Sequence, residues 1–155
     1  TLMVQNFLSG LKVTPDSSIF YKQAFLGYAG ADQFVGADDD EMIAGDSGDD
    51  ALFGGGGRDQ LLGGSDNDVV NGNMGNDYLQ GNQGSDILFG GRDDDILRAG
   101  QGADTLNGNI GSDTVFGDAG NDLLNGGQDD DYLYGGEGND TLSGDKGNDI
   151  MAGGA

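Results

Sequence analysis

The chain has 155 residues, 33 of them glycine, and carries 28 Asp and Glu against 6 Lys and Arg, a net charge of −22. That balance disfavours nucleic acid, whose phosphates are gripped by Lys and Arg, and points to cations. The absence of His and Cys removes zinc sites, Cys nucleophiles, disulfides and Ser-His-Asp triads together, and no apolar run approaches the roughly 20 residues of a membrane span.

Residues 1–26, TLMVQNFLSGLKVTPDSSIFYKQAFL, hold two apolar stretches around the turn-forming Thr14-Pro15-Asp16. They read as a small N-terminal cap over whatever follows, or as an interaction segment. From residue 27 to 152 the chain divides into fourteen nonapeptides without insertion or deletion, among them GGSDNDVVN, GNQGSDILF, GNIGSDTVF and GGEGNDTLS. Residues 153–155 begin a further, incomplete repeat. Position one is Gly except at Ala99, position six is Asp except at Glu41, and position eight is always apolar, from Phe34 to Met151. A fixed period of this kind signals a solenoid.

The columns specify an all-β architecture. Positions seven to nine are expected as a short strand with one inward side chain, because successive strand residues face opposite ways. Positions one to six are expected as a turn whose glycines admit positive φ. One apolar side chain cannot be buried by a lone triplet, but stacked coils of two nonapeptides place the eighth positions between two facing sheets of a parallel β-roll of about seven coils.

Stacking then aligns acids eighteen residues apart. One side collects Asp32, Asp50, Asp68, Asp86, Asp104, Asp122 and Asp140; the other collects Glu41, Asp59, Asp77, Asp95, Asp113, Asp131 and Asp149. At a strand spacing of about 4.8 Å neighbouring carboxylates repel by roughly 3 kcal/mol per pair at an effective dielectric near 20. Summed along both columns, this exceeds the ~5–15 kcal/mol net stability of an ordinary domain. Cations between the turns resolve the conflict. Carboxylates and turn carbonyls are calcium ligands, whereas Mg²⁺ prefers octahedral geometry with retained water. Calcium in each of about twelve gaps would nearly cancel the net charge of −22.

The phrase G-G-x-G-x-D-x-U-x, with U apolar, resembles the repeats-in-toxin (RTX) family over residues 27–152. The resemblance implies a right-handed parallel β-roll, calcium held between stacked turns by the sixth-position acids and backbone carbonyls, and a secreted bacterial protein. Two features depart from the pattern. Asp39, Asp66, Asp93 and Asp129 replace a glycine at position four, either as left-handed residues with solvated carboxylates or as extra or reshaped calcium ligands. Glu41, longer than Asp, makes the site it would share with Asp59 the least secure.

The function expected is a secreted, calcium-dependent structural or interaction module that folds on binding calcium and is not an enzyme. Paired-carboxylate catalysis needs two different environments that push pKa values apart, and a uniform column offers none. One alternative is a self-assembling subunit of an extracellular layer, sheath or filament, using an open C-terminal end and outward residues such as Phe116, Tyr132 and Tyr134, or the column of Val35, Phe53 and Phe89. Another is a non-catalytic domain of a larger secreted hydrolase or toxin.

Overall fold

A computed structural model describes residues 23–155; the part of the expected cap in residues 1–22 lies outside the described residues. The strands are β1 (Gln23–Leu26), β2 (Gln33–Val35), β3 (Glu41–Ser47), β4 (Ala51–Gly56), β5 (Gln60–Ser65), β6 (Val69–Met74), β7 (Tyr78–Gln83), β8 (Ile87–Arg92), β9 (Ile96–Gln101), β10 (Thr105–Ile110), β11 (Thr114–Ala119), β12 (Leu123–Gln128), β13 (Tyr132–Gly136), β14 (Thr141–Lys146) and β15 (Ile150–Gly154). Odd strands form an eight-stranded sheet and even strands a seven-stranded one. All pairings are parallel and in eighteen-residue register, as in Leu79↔Leu97 and Leu97↔Val115. The result is the all-β parallel solenoid of about seven coils that the period of nine predicts, and no helix occurs among the described residues.

Strand length differs from expectation. Most strands run six residues, through positions seven to nine and on through positions one to three of the next nonapeptide, so the turn shrinks to positions four to six. The cause is a second inward site. Along β8 the side chains alternate, with Leu88 and Gly90 buried and Phe89 between them half-buried. A Cβ added at Gly90 would meet the Oδ2 of Asp95 and the carbonyl oxygen of Gly108 in the next coil. Glycine at position one therefore keeps the strand extended while leaving room for the acid. Position two bends next: all twelve repeats with Gly, Asn or Asp there take positive φ, from 63° at Asp145 to 129° at Gly64, and the exceptions in sequence, Tyr28 and Ala37, do not.

Position eight makes the core. Ile43, Leu52, Leu61, Val70, Leu79, Leu88, Leu97, Leu106, Val115, Leu124 and Leu133 are all 0% exposed, with Phe25, Phe34 and Leu142 partly buried against them. Each such burial is worth about 1.5–3 kcal/mol. The eight-stranded sheet begins inside the segment read as a cap, because Phe25 lies in register with Ile43 and joins the core. Gln23 stands there opposite Glu41, where the period would place an acid. On the outer face of the even strands Val35, Phe53, Asn71 and Phe89 follow one another in register, so Asn71 splits the expected apolar column. Met74 restores apolar surface beside it, in a shallow groove shared with Val35 and Phe53.

Candidate metal centre

Each turn delivers its position-six acid into the gap between coils by a repeated hydrogen bond. The backbone N–H of Asp50 donates to Oδ1 of Asp68 at 2.8 Å, Asp68 to Asp86 at 2.8 Å, Asp77 to Asp95 at 2.8 Å and Asp104 to Asp122 at 2.9 Å. Asp59, Asp86, Asp95 and Asp113 do the same towards Asp77, Asp104, Asp113 and Asp131. The parallel ladder holds the same residue from the other side, since Val69 N–H donates to the Asp50 carbonyl at 2.8 Å. The ten aspartates from Asp50 to Asp131 are consequently at most 3% exposed. Asp32, Asp140 and Asp149, towards the ends of the columns, are only half-buried.

One carboxylate oxygen is thereby satisfied and the other is not. Oδ2 of Asp50, Asp59, Asp68, Asp77, Asp86, Asp95, Asp104, Asp113, Asp122, Asp131 and Asp140 is buried with no hydrogen-bond donor, a costly state for a polar atom and more so for a charged one. No basic side chain relieves it: the one ion pair among the described residues, Arg98 with Asp118 at 2.7 Å, lies on an outer face. Burial drives the acids towards neutrality, raising Asp77 and Asp95 to about 8, Asp68 and Asp113 to about 7, and Asp59, Asp104 and Asp122 to about 6. The coil's N–H offsets this in part and neighbouring carboxylates add to it. Asp50, Asp86 and Asp131 are raised by burial as well.

The orphaned oxygens suit a hard dication. Cβ atoms built at Gly45, Gly54, Gly63, Gly72 and Gly108 would each meet the Oδ2 of their own repeat's Asp and the position-one carbonyl oxygen of the coil after. Carboxylate and carbonyl oxygens thus share a cradle that glycine leaves open at these positions. Among the described residues no three carboxylates converge on one point, so backbone carbonyls must complete any coordination shell. An all-oxygen, adaptable donor set of this kind is a calcium set.

Glu41 departs from its column as its length foretells. It is fully buried, and its Oε2 accepts from Ala37 N–H of its own repeat at 3.0 Å, while its own N–H still donates to Asp59 at 2.8 Å. A second set of side chains escaped the sequence reading. Position-five Asp and Asn reach the other way, Asp40 to Arg58 N–H and Asn121 to Asn139 N–H, both at 2.8 Å. Asn, Asp or Ser occupies position five in eleven of the fourteen repeats, a signal the hydrophobic and acidic columns overshadow.

Fold and turns together define a parallel β-solenoid whose repeats stack buried carboxylates in two columns between the coils. A family model for the RTX calcium-binding nonapeptide repeat (4 copies) matches residues 35–70, 71–106, 98–133, 107–142 and 125–155, so the chain belongs to that family and is a calcium-binding repeat module. A search of curated proteins gives no match to this sequence. The β-roll is a structural calcium-binding fold rather than a catalytic one, and no helix of the described residues is long and apolar enough to cross a membrane.

Proposed function

We infer that the chain is a secreted, non-enzymatic structural or interaction module that folds when calcium enters the gaps between its stacked turns. The carrying observation is the line of buried Oδ2 atoms with no donor, from Asp50 to Asp140. Residues assigned to the ions are the position-six acids, Asp32, Asp50, Asp68, Asp86, Asp104, Asp122 and Asp140 on one side and Glu41, Asp59, Asp77, Asp95, Asp113, Asp131 and Asp149 on the other. Up to about twelve ions fill the gaps between them. Bound calcium supplies the positive charge that lets these carboxylates stay ionised where they are buried. Weak sites suffice outside cells, where calcium-binding modules operate at roughly 10⁻⁴–10⁻³ M, and this supports an extracellular setting. Circular dichroism tests the reading: a β spectrum absent in EDTA and restored by millimolar calcium is expected, and an unchanged spectrum in EDTA removes it.

A second reading, self-association into a layer or filament, is favoured by the apolar surface on the even strands, where Val35 is 67% and Met74 50% exposed beside Phe53. Light scattering in calcium checks it. Val35→Ser with Met74→Ser would then reduce the assembled fraction, while a strictly monomeric parent would end this reading and leave the first intact.

A further inference from the structure

Three of the four turns with Asp at position four differ from the glycine turns in two independent respects. The first is conformation. Asp66, Asp93 and Asp129 hold φ at 77°, 76° and 79°, in the left-handed well that Asp tolerates, whereas the position-four glycines range from 107° to 152°.

The second is hydrogen bonding. Many position-four glycines donate their N–H to the position-three carbonyl of the coil after. In four turns where glycine lies over the donor the bond is short: 2.8 Å from Gly30 to Ser47, 2.9 Å from Gly84 to Gln101 and from Gly102 to Ala119, and 2.8 Å from Gly120 to Glu137. Where Asp lies over it, the bond is 3.2 Å in all three cases, at Gly48 beneath Asp66, Gly75 beneath Asp93 and Gly111 beneath Asp129. At two of them the reason is visible, since Gly48 and Gly75 share their N–H with Oδ2 of Asp66 and Asp93, each at 3.2 Å. The next residue of the same turn reaches the opposite way. Asn67, Asp94 and Asp130 accept from Ser85, Ser112 and Asn148 N–H of the coil after, each at 2.8 Å.

We propose that Asp66, Asp93 and Asp129 are positioning residues rather than additional calcium ligands. In the turns at 66–68 and 93–95 the first side chain draws on the coil before, and in all three turns the middle one grips the coil after. The third is the buried acid of the ion column. Asp66, Asp93 and Asp129 are themselves exposed, and Oδ2 of Asp66 and of Asp93 faces a peptide N–H, whereas the Oδ2 atoms of Asp68, Asp95 and Asp131 have no donor at all. These turns set the spacing of neighbouring coils by hydrogen bonds within the protein, on both turn columns, so that the gaps beside them are held in register by more than the ions alone.

Two full-length triple variants separate the possibilities. Asp66→Asn/Asp93→Asn/Asp129→Asn keeps an acceptor oxygen and tolerance of the left-handed well, while Asp66→Gly/Asp93→Gly/Asp129→Gly restores the repeat's usual glycine and removes the acceptor. In calcium-loaded protein, amide exchange at Gly48 and Gly75 is expected to quicken about threefold in the glycine variant, with Gly84, Gly102 and Gly120 unchanged and the asparagine variant close to the parent. The glycine variant should also need about twofold to threefold more calcium at its folding midpoint, with the bound-ion count from native mass spectrometry equal in all three proteins. Loss of ions in the asparagine variant would make these residues ligands and overturn the proposal. Unchanged exchange in the glycine variant would reduce them to passive substitutions, with the same result. The midpoint rests on calcium-driven folding, whereas the exchange comparison does not, so a chain that stays folded in EDTA ends that reading without touching this one.

Discussion

Two columns of side chains run through the roll at almost equal depth with opposite chemistry. Position eight is 0% exposed from Ile43 to Leu133, and position six, two residues earlier in each repeat, is at most 3% exposed from Asp50 to Asp131. Stacking like upon like multiplies whatever two neighbours do to each other. Leucine on leucine gains dispersion and excludes water, so that column is complete in itself. Aspartate on aspartate repels and strands one oxygen per coil, so that column is complete only with counterions. One repeat thus makes half of its interior self-sufficient and leaves the other half with buried oxygens that lack a partner.

Removing the metal breaks the comparison most severely. Chelation is expected to abolish the β spectrum as a whole rather than loosen the turns alone, because the core residues share each coil with the acids and a coil cannot keep one column without the other. Intact core packing with disordered turns, seen by amide exchange in EDTA, would refute that coupling. Next in size is Leu97→Ala, which leaves a cavity between Leu79 and Val115 and should cost about 2–5 kcal/mol of the calcium-loaded protein's stability, read by chemical denaturation. The partly buried Leu142 should cost less when changed to Ala.

Acidity acts on one column only. Asp77 and Asp95, raised from 3.8 to about 8, hold protons in the metal-free roll that the unfolded chain releases. The metal-free roll therefore gains stability as pH falls from about 8 towards 4 and loses it as pH rises through that window. Calcium binding runs the other way, because it requires the carboxylates ionised and displaces those protons. The calcium midpoint should be roughly tenfold higher at pH 5 than at pH 8, with metal-free β structure more evident at pH 5. A midpoint independent of pH would mean that other groups hold the ions.

Both columns were legible as sequence because each depends on a residue type that recurs every nine positions, Asp95 with Asp104 and Leu97 with Leu106. Strand length was not. Gly90 and Gly91 read as turn residues by composition, and a residue without a side chain cannot display the inward-outward alternation that marks a strand; its role appears only once the Asp95 carboxylate occupies the space beside Gly90. Strand β1 was hidden for a related reason, since Gln23 carries no acid to mark the register and only Phe25 keeps it. The positive φ at position two was available in the Gly, Asn or Asp found there, and Tyr28 and Ala37 confirm that the choice of residue tracks the backbone.

The smallest effect offers the sharpest comparison, because Asp95 and Leu97 lie two residues apart in one repeat, one in each column. Asp95→Asn keeps the size of the side chain and an oxygen for the Asp77 N–H bond of 2.8 Å, and removes only the charge. With calcium present, loss of that charge should raise the folding midpoint about threefold. Without calcium, at pH 7, the same change spares the roll the cost of burying the Asp95 carboxyl and of protonating it there and should favour the folded roll. Leu97→Ala destabilises in both conditions, for a cavity is indifferent to ions. Opposite signs for Asp95→Asn in calcium and in EDTA, measured by denaturation or by residual β signal, are therefore the mark of a conditional column. The same sign in both would place Asp95 with the leucines, as packing rather than as part of an ion site.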